Sequence, residues 1–460
     1  MNLDFSGLLE PQIFHCLKLI DSLYLNGFAD DLSDTGTGKT YCAAWVAKQM
    51  NCPIVVICPL SVITTWERTF ALFGIKNAII INYEKLTRGN TEYLSYDLRK
   101  FHATPAWWKS EGVDIKFRKD SLIIIDEQHK CRGQTSLASD MAIALKNFGY
   151  KILGCSATAA TDTTNMKAFG YKANLHYGQN YHEWNIENGA RFRGAALDWD
   201  GDQTIAREGM SKLHHEMFTI NKSAARMRRA EFGNLFPENQ VSADIFDLGA
   251  GNTAKLERVY EQMEYELAML DERAENYSAH VFAIMMKARR NSEILKIPTM
   301  VDWIEDMFDE GISPVCFVNF TDTVTALAKR LNTKKFKNKI GFLIGGQSKK
   351  ERDLNIDSFQ ADILRAFIVN MQAGNMGISL HDLHGKHPRN SLINPSWSAI
   401  NFAQAVGRIH RANGKTPCRQ QFLYANVPIE IRMANRLTNR LANLDCLNNG
   451  EVSYEYVLTA

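Results

Sequence analysis

The sequence lacks the features that mark zinc-binding, secreted and membrane-spanning proteins. Its nine cysteines are scattered and form no C-x-x-C pair, which argues against a zinc site and a disulfide framework and fits a reducing cytoplasm. No apolar run reaches the roughly 18 residues that a membrane span needs. Residues 1–12 show no basic segment followed by an apolar stretch, so we expect no signal peptide. We therefore expect a cytoplasmic protein without a membrane partner.

A strong net charge and sequence repetition are also absent. The formal net charge of the 460 residues is +2, which neither demands nor excludes a nucleic-acid partner, because a local basic groove can lie on a neutral protein. We find no internal repeat and no low-complexity tract. Hydrophobic residues make up 45% of the chain, as in ordinary soluble proteins, and the length favours two or three domains.

Short apolar runs, typical of buried strands, recur in two clusters along the chain. The runs occupy 53–59, 77–83, 121–127 and 151–158 in the first cluster, and 313–320, 339–345, 364–371, 390–395 and 420–426 in the second. Strands buried on both faces of parallel sheets in α/β layers have this composition. The middle of the chain is polar and helical in character. We therefore expect an α/β fold with two lobes and a mostly helical insertion or connector.

A phosphate-binding loop is predicted near the start of the chain, in the sequence DLSDTGTGKT. Gly36 and Gly38 permit tight turns, and Lys39-Thr40 open a good helix-forming segment. The pattern G-x-x-x-x-G-K-[ST] is met from its second glycine onward, and Ser33 stands at the first glycine position, where a small residue should still fit. Lys39 would reach the β- and γ-phosphates of a nucleotide, and the Thr40 hydroxyl would hold Mg²⁺.

Two adjacent acids, Asp126 and Glu127, end the very apolar run SLIIIDE. A phosphate loop needs a carboxylate that positions Mg²⁺ and a base that orients the attacking water. Asp126 would contact the metal directly or through water, and Glu127 would polarise the water. The alternative is a core strand that ends in a solvated turn. The phosphate loop earlier in the chain makes the catalytic interpretation the stronger one.

With these residues in place, the sequence resembles the superfamily 2 helicases, and more closely their Swi/Snf-like branch. The matching elements of the first half are Gln12, similar to the glutamine that reads adenine; 56–70, similar to motif Ia; 81–86, similar to the Tyr-Glu element that follows it; 126–129, similar to motif II; and 156–158, similar to motif III. Motif III has the general helicase form Ser-Ala-Thr rather than the form usual in Swi/Snf proteins.

The second half continues the resemblance. Residues 315–331 are similar to motif IV, 372–380 to motif V, and 394–415 to motif VI. Within motif VI, the Q-x-x-G-R-x-x-R positions are filled by Gln404, Gly407, Arg408 and Arg411. The resemblance implies two RecA-like P-loop lobes with parallel sheets, and ATP bound between them.

The same resemblance implies roles for individual residues. Catalysis would rest on Lys39, Asp126, Glu127, Arg408 and Arg411, with one arginine acting as the finger that stabilises charge on the γ-phosphoryl group. ATP would be bound by Gln12, Thr35, Gly36, Thr37, Gly38, Lys39, Thr40, Gly377, Arg408 and Arg411, and Mg²⁺ by Thr40 and Asp126. Hydrolysis would be coupled to lobe movement by Gln128, His129, Ser156, Thr158 and Gln404. The candidates for DNA contact are Ser61, Trp107, Trp108 and Asn375.

The expected domains are a first RecA-like lobe at 1–165 that binds ATP, a helical insertion and connector at 166–300, and a second RecA-like lobe at 301–460. The Swi/Snf-like features favour DNA over RNA. The stretch 198–240, which contains Arg228-Arg229, resembles fork-remodelling and annealing members of that branch. We therefore expect a monomeric helicase that unwinds or migrates forked and junction DNA in replication, recombination or repair, from a prokaryote or a bacteriophage.

Several alternatives remain open at this point. Trp107 and Trp108 could stack on an unpaired base or wedge a junction, or could simply pack a short insertion onto the first lobe. The enzyme could translocate along duplex DNA without separating strands, or act on RNA. A nucleotide-gated DNA-binding switch without turnover is disfavoured, because Lys39, Glu127 and Arg411 are all present.

Overall fold

The computed structural model shows two compact units, each with its own parallel sheet. It describes residues 4–87, 91–95, 106–110, 113–193, 196–198, 203–249, 251–271, 276–374, 378–396 and 399–450. The first unit comprises the described residues up to Gly233 and those from Asn439 onward, and the second comprises Asn234–Thr438. Within these ranges, no helix combines the length and the apolar content that a membrane span needs.

The first unit is built on a parallel sheet. Its strands are β1 (Phe28–Asp31), β2 (Ile54–Cys58), β3 (Ile79–Asn82), β4 (Leu122–Asp126), β5 (Lys151–Cys155), β6 (Arg191–Arg193), β7 (Ala196–Asp198) and β8 (Ala224–Ala225). Strands β6 and β7 form an antiparallel pair, and the others form the sheet in the order β3-β2-β4-β5-β1-β8, with every pairing parallel. The apolar residues of β2 and β4 are buried, as expected for strands that helices cover on both faces.

Helices connect and cover these strands. They are α1 (Glu10–Leu25), α2 (Lys39–Met50), α3 (Ile63–Leu72), α4 (Tyr83–Thr87), α5 (Leu137–Asn147), α6 (Lys167–Lys172), α7 (Tyr181–Glu187) and α8 (Gln203–His215), which a π-helical turn (Glu216–Ile220) extends. Short 3₁₀ turns lie at Leu60–Val62, Trp107–Lys109, Gln128–Cys131, Thr163–Asn165 and Arg229–Leu235.

The second unit repeats this architecture. Its strands are β9 (Asn239–Phe246), β10 (Ser313–Val318), β11 (Ile340–Leu343), β12 (Ala366–Asn370), β13 (Arg389–Ile393) and β14 (Cys418–Ala425), in the order β11-β12-β10-β13-β14-β9 and parallel throughout. Its helices are α9 (Asn252–Ala268), α10 (Tyr277–Leu295), α11 (Ile297–Asp309), α12 (Thr321–Arg330), α13 (Lys349–Gln360), α14 (Met371–Gly374), α15 (Ala399–Ile409) and α16 (Pro428–Asn449). The expected α/β fold with two parallel sheets is confirmed.

The boundary between the units lies inside the segment 166–300, which we expected to form a helical insertion and connector. The part of this segment before Asn234 belongs to the first unit, and β9 adds an edge strand to the second sheet. The sequence of β9, NQVSADIF, mixes polar and apolar residues, so it lacks the continuous apolar run that predicted the other five strands of the second sheet. Helix α16 begins in the second unit, and its last turns belong to the first.

A buried carboxylate joins four parts of the second unit. Glu430, in the first turn of α16, accepts hydrogen bonds from Tyr260 Oη (3.0 Å), Ser292 Oγ (2.9 Å), Lys296 Nζ (2.6 Å) and the Ala425 amide (2.7 Å). The side chains of Lys296 and Glu430 are 2% and 1% exposed. Because a buried charge is tolerated only when it is paired and hydrogen-bonded, this cluster ties α9, α10 and the end of β14 to α16.

We predict that Glu430→Ala destabilises the second unit by about 3–5 kcal/mol, because it leaves the Lys296 ammonium buried without its carboxylate. Chemical denaturation followed by circular dichroism measures the change. The matched control is the double variant Glu430→Leu with Lys296→Met, which removes both charges and should be much less damaging. A Glu430→Ala variant as stable as the wild type would contradict the proposed role of this cluster.

Candidate ATP-binding site

The predicted phosphate loop lies between β1 and α2. Because the sheet is parallel, β1 and β4 end at the same edge, so Asp126 is delivered to the edge from which the loop departs. Gly36 has φ 87° and Gly38 has φ 91°, a left-handed conformation that favours glycine. These turns lead the chain into the N-terminus of α2, where backbone N–H groups attract phosphate.

Lys39 is held inside the loop by backbone carbonyl groups. Its Nζ donates hydrogen bonds to the carbonyl oxygens of Ser33 (2.8 Å) and Asp34 (2.9 Å), and the Thr37 hydroxyl donates to the same Asp34 oxygen (2.8 Å). The ammonium group therefore lies within the loop that is predicted to bind the nucleotide phosphates. Thr40 follows in the first turn of α2.

Gln12 is buried against the same loop. Its Oε1 accepts from the Leu9 amide (2.8 Å), and its Nε2 donates to the Thr37 carbonyl (2.9 Å). The left-handed φ angle of Gly38 favours glycine whatever the space around it, and a Cβ atom there would also displace Gln12 Nε2 from its hydrogen bond. The structure thus gives Gln12 a role in holding the loop, and its contact with adenine stays a prediction.

Asp126 is fixed by two aromatic side chains. Trp66 Nε1 donates to Asp126 Oδ2 at 2.8 Å, and Tyr83 Oη donates to the Asp126 carbonyl at 2.7 Å. Burial, and then the negative charge of Glu127, raise the pKa of Asp126 to about 7. Positive charge near Asp126, such as that of Lys39, favours the ionised form.

Glu127 adopts φ 55°, a left-handed conformation that is unusual for a residue with a Cβ. Its Oε2 lies 3.2 Å from His129 Nδ1, which lies 3.3 Å from Ser156 Oγ. The Thr158 amide donates to the same Ser156 oxygen at 3.2 Å. The structure therefore brings Glu127, His129, Ser156 and Thr158 into one series of contacts that joins motif II to motif III.

Gln128 points into a buried polar cluster. Its Nε2 donates to Asp30 Oδ1 (3.0 Å), its Oε1 accepts from Lys172 Nζ (2.8 Å), and Lys172 also pairs with Asp30. A Cβ atom on Gly154 would lie 2.1 Å from Gln128 Oε1, so glycine at that position makes room for the cluster. Gln128 anchors motif II to β1 and α6, and its coupling role stays a prediction.

The predicted motif VI residues lie on α15 and just after it, in the second unit. The Ile378 carbonyl accepts from Arg408 Nη1 (3.4 Å) and from Arg411 Nη2 (3.1 Å). Gln404 and Arg408 are buried. The role of these arginines toward the γ-phosphate stays a prediction. Two further predicted residues, Asn375 and Gly377, lie outside the described residues.

Two helicase family models match the chain, one in each unit. Residues 32–166 match the DEAD/DEAH box helicase model, and 296–413 match the helicase conserved C-terminal domain. A protein of Acanthamoeba polyphaga mimivirus, provisionally named ATP-dependent RNA helicase L364, is 30% identical over 459 residues, which are 95% of this chain and 83% of that protein. The chain belongs to the superfamily 2 helicases. As a member, it is an ATP-hydrolysing enzyme that acts on nucleic acid.

One solved structure resembles this helicase over nearly its full length. It is described as the Sulfolobus solfataricus SWI2/SNF2 ATPase core in complex with dsDNA, and the match covers 99% of this chain and 98% of that one. The sequence identity is 18% and the TM-score is 0.37.

The residues predicted to hold Mg²⁺ in this helicase suit that ion. Mg²⁺ prefers oxygen ligands and binds through one or two carboxylates, water and substrate phosphates rather than an all-protein cage. Thr40 and Asp126 offer a hydroxyl and a carboxylate, and the described residues contain no cluster of three or more His, Cys, Asp or Glu that could hold a metal by itself. When bound, Mg²⁺ would neutralise charge that develops on the phosphates.

Sequence reasoning missed one set of contacts around the phosphate loop of the helicase. Arg226 Nη2 pairs with Asp34 Oδ1 at 2.5 Å, and Arg229 donates from Nε to the Thr35 carbonyl at 3.1 Å and from Nη2 to the Thr35 hydroxyl. By sequence, the pair Arg228-Arg229 lies in a stretch similar to fork-remodelling enzymes. No spacing rule connects these arginines to a loop about 190 residues earlier, because a parallel crossover fixes no chain length.

The DNA-contact candidates occupy different environments in the helicase. Trp107 packs edge-on against Tyr171 and Tyr181, and Lys167 Nζ lies 4.5 Å from the centre of its ring. Trp108 packs on Gly178, where an added Cβ would lie 2.4 Å from the tryptophan Cβ. These contacts favour the packing interpretation over the wedge. Ser61 lies in the 3₁₀ turn at Leu60–Val62, and its Oγ is buried.

We predict that Lys39→Ala lowers ATP turnover at least about 100-fold, because it removes the charge aimed at the nucleotide phosphates. Turnover is measured by a coupled ATPase assay, and binding of forked DNA by fluorescence anisotropy. The matched control is Lys48→Ala, on the exposed surface of the same helix. This variant should change neither ATP turnover nor the binding of forked DNA. Substantial turnover by Lys39→Ala would overturn the phosphate-site assignment.

We predict that Trp107→Ala lowers the free energy of unfolding by about 3 kcal/mol, because it opens a cavity among Tyr171, Tyr181 and Lys167. The control is Trp107→Phe, which keeps an aromatic ring and should lower the free energy of unfolding by less. Denaturation and strand displacement are measured on the same preparations. If Trp107→Ala keeps full stability but loses strand displacement, the packing interpretation is wrong and the wedge is supported.

Proposed function

We propose that this helicase is a DNA-dependent ATPase that translocates along DNA and unwinds or migrates forks and junctions. The observation that carries the proposal is the motif Ia segment 56–70, which has the Swi/Snf-like form. Its Trp66 donates a hydrogen bond directly to Asp126, so the element typical of DNA translocases contacts the predicted metal-binding carboxylate. We further propose that the enzyme acts as a monomer in the cytoplasm.

In the proposed cycle, Lys39 binds the β- and γ-phosphates and Glu127 orients the attacking water. Arg408 or Arg411 stabilises charge on the transferred phosphoryl group. The contacts from Glu127 through His129 to Ser156 supply the route by which the state of the γ-phosphate alters motif III. Turnover needs each of these groups, and all of them are present in the sequence. Their presence favours an active motor over a nucleotide-gated switch.

RNA is the second candidate substrate. It is favoured by the mimivirus relative, whose provisional name assigns it ATP-dependent RNA helicase activity. The Ser-Ala-Thr form of motif III is also the general helicase form rather than the usual Swi/Snf form. Against it stand motif Ia and the stretch 198–240, which resemble DNA-acting enzymes. Translocation along duplex DNA without strand separation is a narrower variant of the DNA proposal.

One panel of substrates distinguishes these functions. ATPase and strand displacement are measured on single-stranded, blunt duplex, forked and four-way-junction DNA, and on RNA of the same sequences. We expect stimulation by DNA over RNA, and displacement on forks and junctions but not on blunt duplex. The control is Glu127→Gln, which should bind the same substrates without hydrolysing ATP. Any ATPase activity measured with this variant would come from contaminating proteins.

The other outcomes each select an alternative. ATPase stimulated by duplex DNA with no displacement on any substrate would make the enzyme a duplex translocase. Stimulation and displacement on RNA alone would reject the DNA proposal. Equal activity on blunt and branched DNA would remove the preference for junctions.

A further inference from the structure

The segment from Ser223 to Arg229 runs beside β1 and continues past it along the phosphate loop. The Asp30 amide donates to the Ser223 carbonyl (2.8 Å), and the Leu32 amide to the Ala225 carbonyl (2.9 Å). The Asp34 amide then donates to the carbonyl of Met227 at 3.0 Å. The regular strand pairing thus extends into the loop itself, where loops normally have few such partners. We call Ser223–Arg229 the bracing segment.

Asp34 is the point at which the bracing segment meets the loop. Its carboxylate accepts from Arg226 Nη2 at Oδ1 (2.5 Å) and from the Arg229 amide at Oδ2 (3.0 Å). Its carbonyl oxygen is one of the two that hold Lys39 Nζ. Burial opposes the charged form of Asp34, but Arg226 and Arg229 outweigh it and lower the pKa of this carboxyl.

Arg229 and the neighbouring backbone hold the two residues on either side of Asp34. The Arg229 guanidinium donates to the carbonyl and the hydroxyl of Thr35, and the Met227 amide donates to Ser33 Oγ at 2.9 Å. All three residues at positions 33–35 are therefore bound to the bracing segment. The Ser33 and Asp34 carbonyls set the place of the Lys39 ammonium, so a shift of these residues would move it.

The end of α16 completes the arrangement. Asn449 Oδ1 accepts from Arg226 Nη1 at 2.8 Å, so the guanidinium of Arg226 lies between Asn449 and Asp34. The adjacent Asn448 donates from Nδ2 to the carbonyl of Ala157, in motif III, at 3.2 Å. An arginine held from both sides loses less freedom when it binds its carboxylate, and the several N–H donors of a rigid guanidinium allow one side chain to bind both partners.

We propose that Arg226 and Arg229 are positioning residues of the phosphate loop, that they set its affinity for nucleotide phosphates, and that Asn449 positions Arg226. The proposal rests on the ATP site described above. Neither arginine needs to touch the nucleotide, because each acts through the loop: Arg226 through Asp34, and Arg229 through Thr35.

The test compares Arg226→Gln and Arg229→Gln with Arg228→Gln. Arg228 is the matched control, because it lies between the two in sequence, carries the same charge and is exposed. ADP binding is measured by isothermal titration calorimetry, and KM for ATP and kcat by ATPase assay with linear plasmid DNA. We expect each positioning variant to weaken ADP binding and raise KM about tenfold, since a hydrogen bond to a charged group typically contributes on that scale.

Two further variants separate positioning from general stability. Asp34→Asn combined with Arg226→Gln should weaken ADP binding by less than the product of the two single effects, because both changes break the same contact. Arg229→Lys keeps the charge but loses the planar guanidinium group. Compared with Arg229→Gln, it should recover more of the lost melting temperature than of the lost ADP affinity. Asn449→Ala should weaken ADP binding and raise KM for ATP in the same direction as Arg226→Gln, but by a smaller factor.

The proposal is overturned if Arg226→Gln and Arg229→Gln bind ADP as the wild type does, or if Arg228→Gln weakens binding equally. It is also overturned if Arg229→Lys recovers affinity and stability together, since a purely structural role predicts that result. Lys39→Ala separates the two levels of inference. If that variant loses turnover while the arginine variants do not, only this proposal fails; if it retains turnover, the ATP site itself is wrongly assigned.

Discussion

Two adjacent buried carboxylates on β1 constrain the whole first unit. Asp30 and Asp31 face opposite sides of the sheet, because side chains alternate along a strand. Burying a carboxylate is costly unless it is paired and hydrogen-bonded, and each of the two has its own partner: Lys172 for Asp30 and His15 for Asp31. The two pairs hold α6 and α1 against the strand that carries the phosphate loop.

The same two acids also reach the catalytic motifs. Asp30 accepts from Gln128 of motif II, and Asp31 accepts from the Ser33 amide at the start of the phosphate loop (3.0 Å). Burial raises the pKa of Asp30 in spite of Lys172. Burial also opposes the charged form of Asp31, but His15, Lys39 and the Ser33 hydrogen bond together outweigh it and lower the pKa of Asp31. Motif II and the phosphate loop are thus both hydrogen-bonded to the same strand, β1. Their relative position therefore does not depend on the long connections between them.

The sequence was most informative where function imposes a local pattern. The loop glycines and Lys39 could be predicted because phosphate binding needs fixed spacing within a few residues. The acids ending β4 follow an apolar run directly, and such runs also marked strands β2 to β5 and β10 to β14. What could not be predicted depends on contacts between distant segments. Nothing local indicates that Trp66 binds Asp126 or that Arg226 binds Asp34. Strand β9 could not be predicted from an apolar run, because an edge strand need not be apolar throughout.

Helix α16 gives the first unit a discontinuous chain, and this has a consequence for how the protein is made. The contacts of Asn448 with Ala157 and of Asn449 with Arg226 join the last described turns of the chain to residues made far earlier. During synthesis the first sheet can assemble while the second unit is still being translated. The phosphate loop and motif III, however, acquire their full set of contacts only after the second unit, Asn234–Thr438, and the end of α16 have left the ribosome. In a nascent chain the nucleotide site therefore lacks the contacts of Asn448 and Asn449 until the whole second unit has been synthesised.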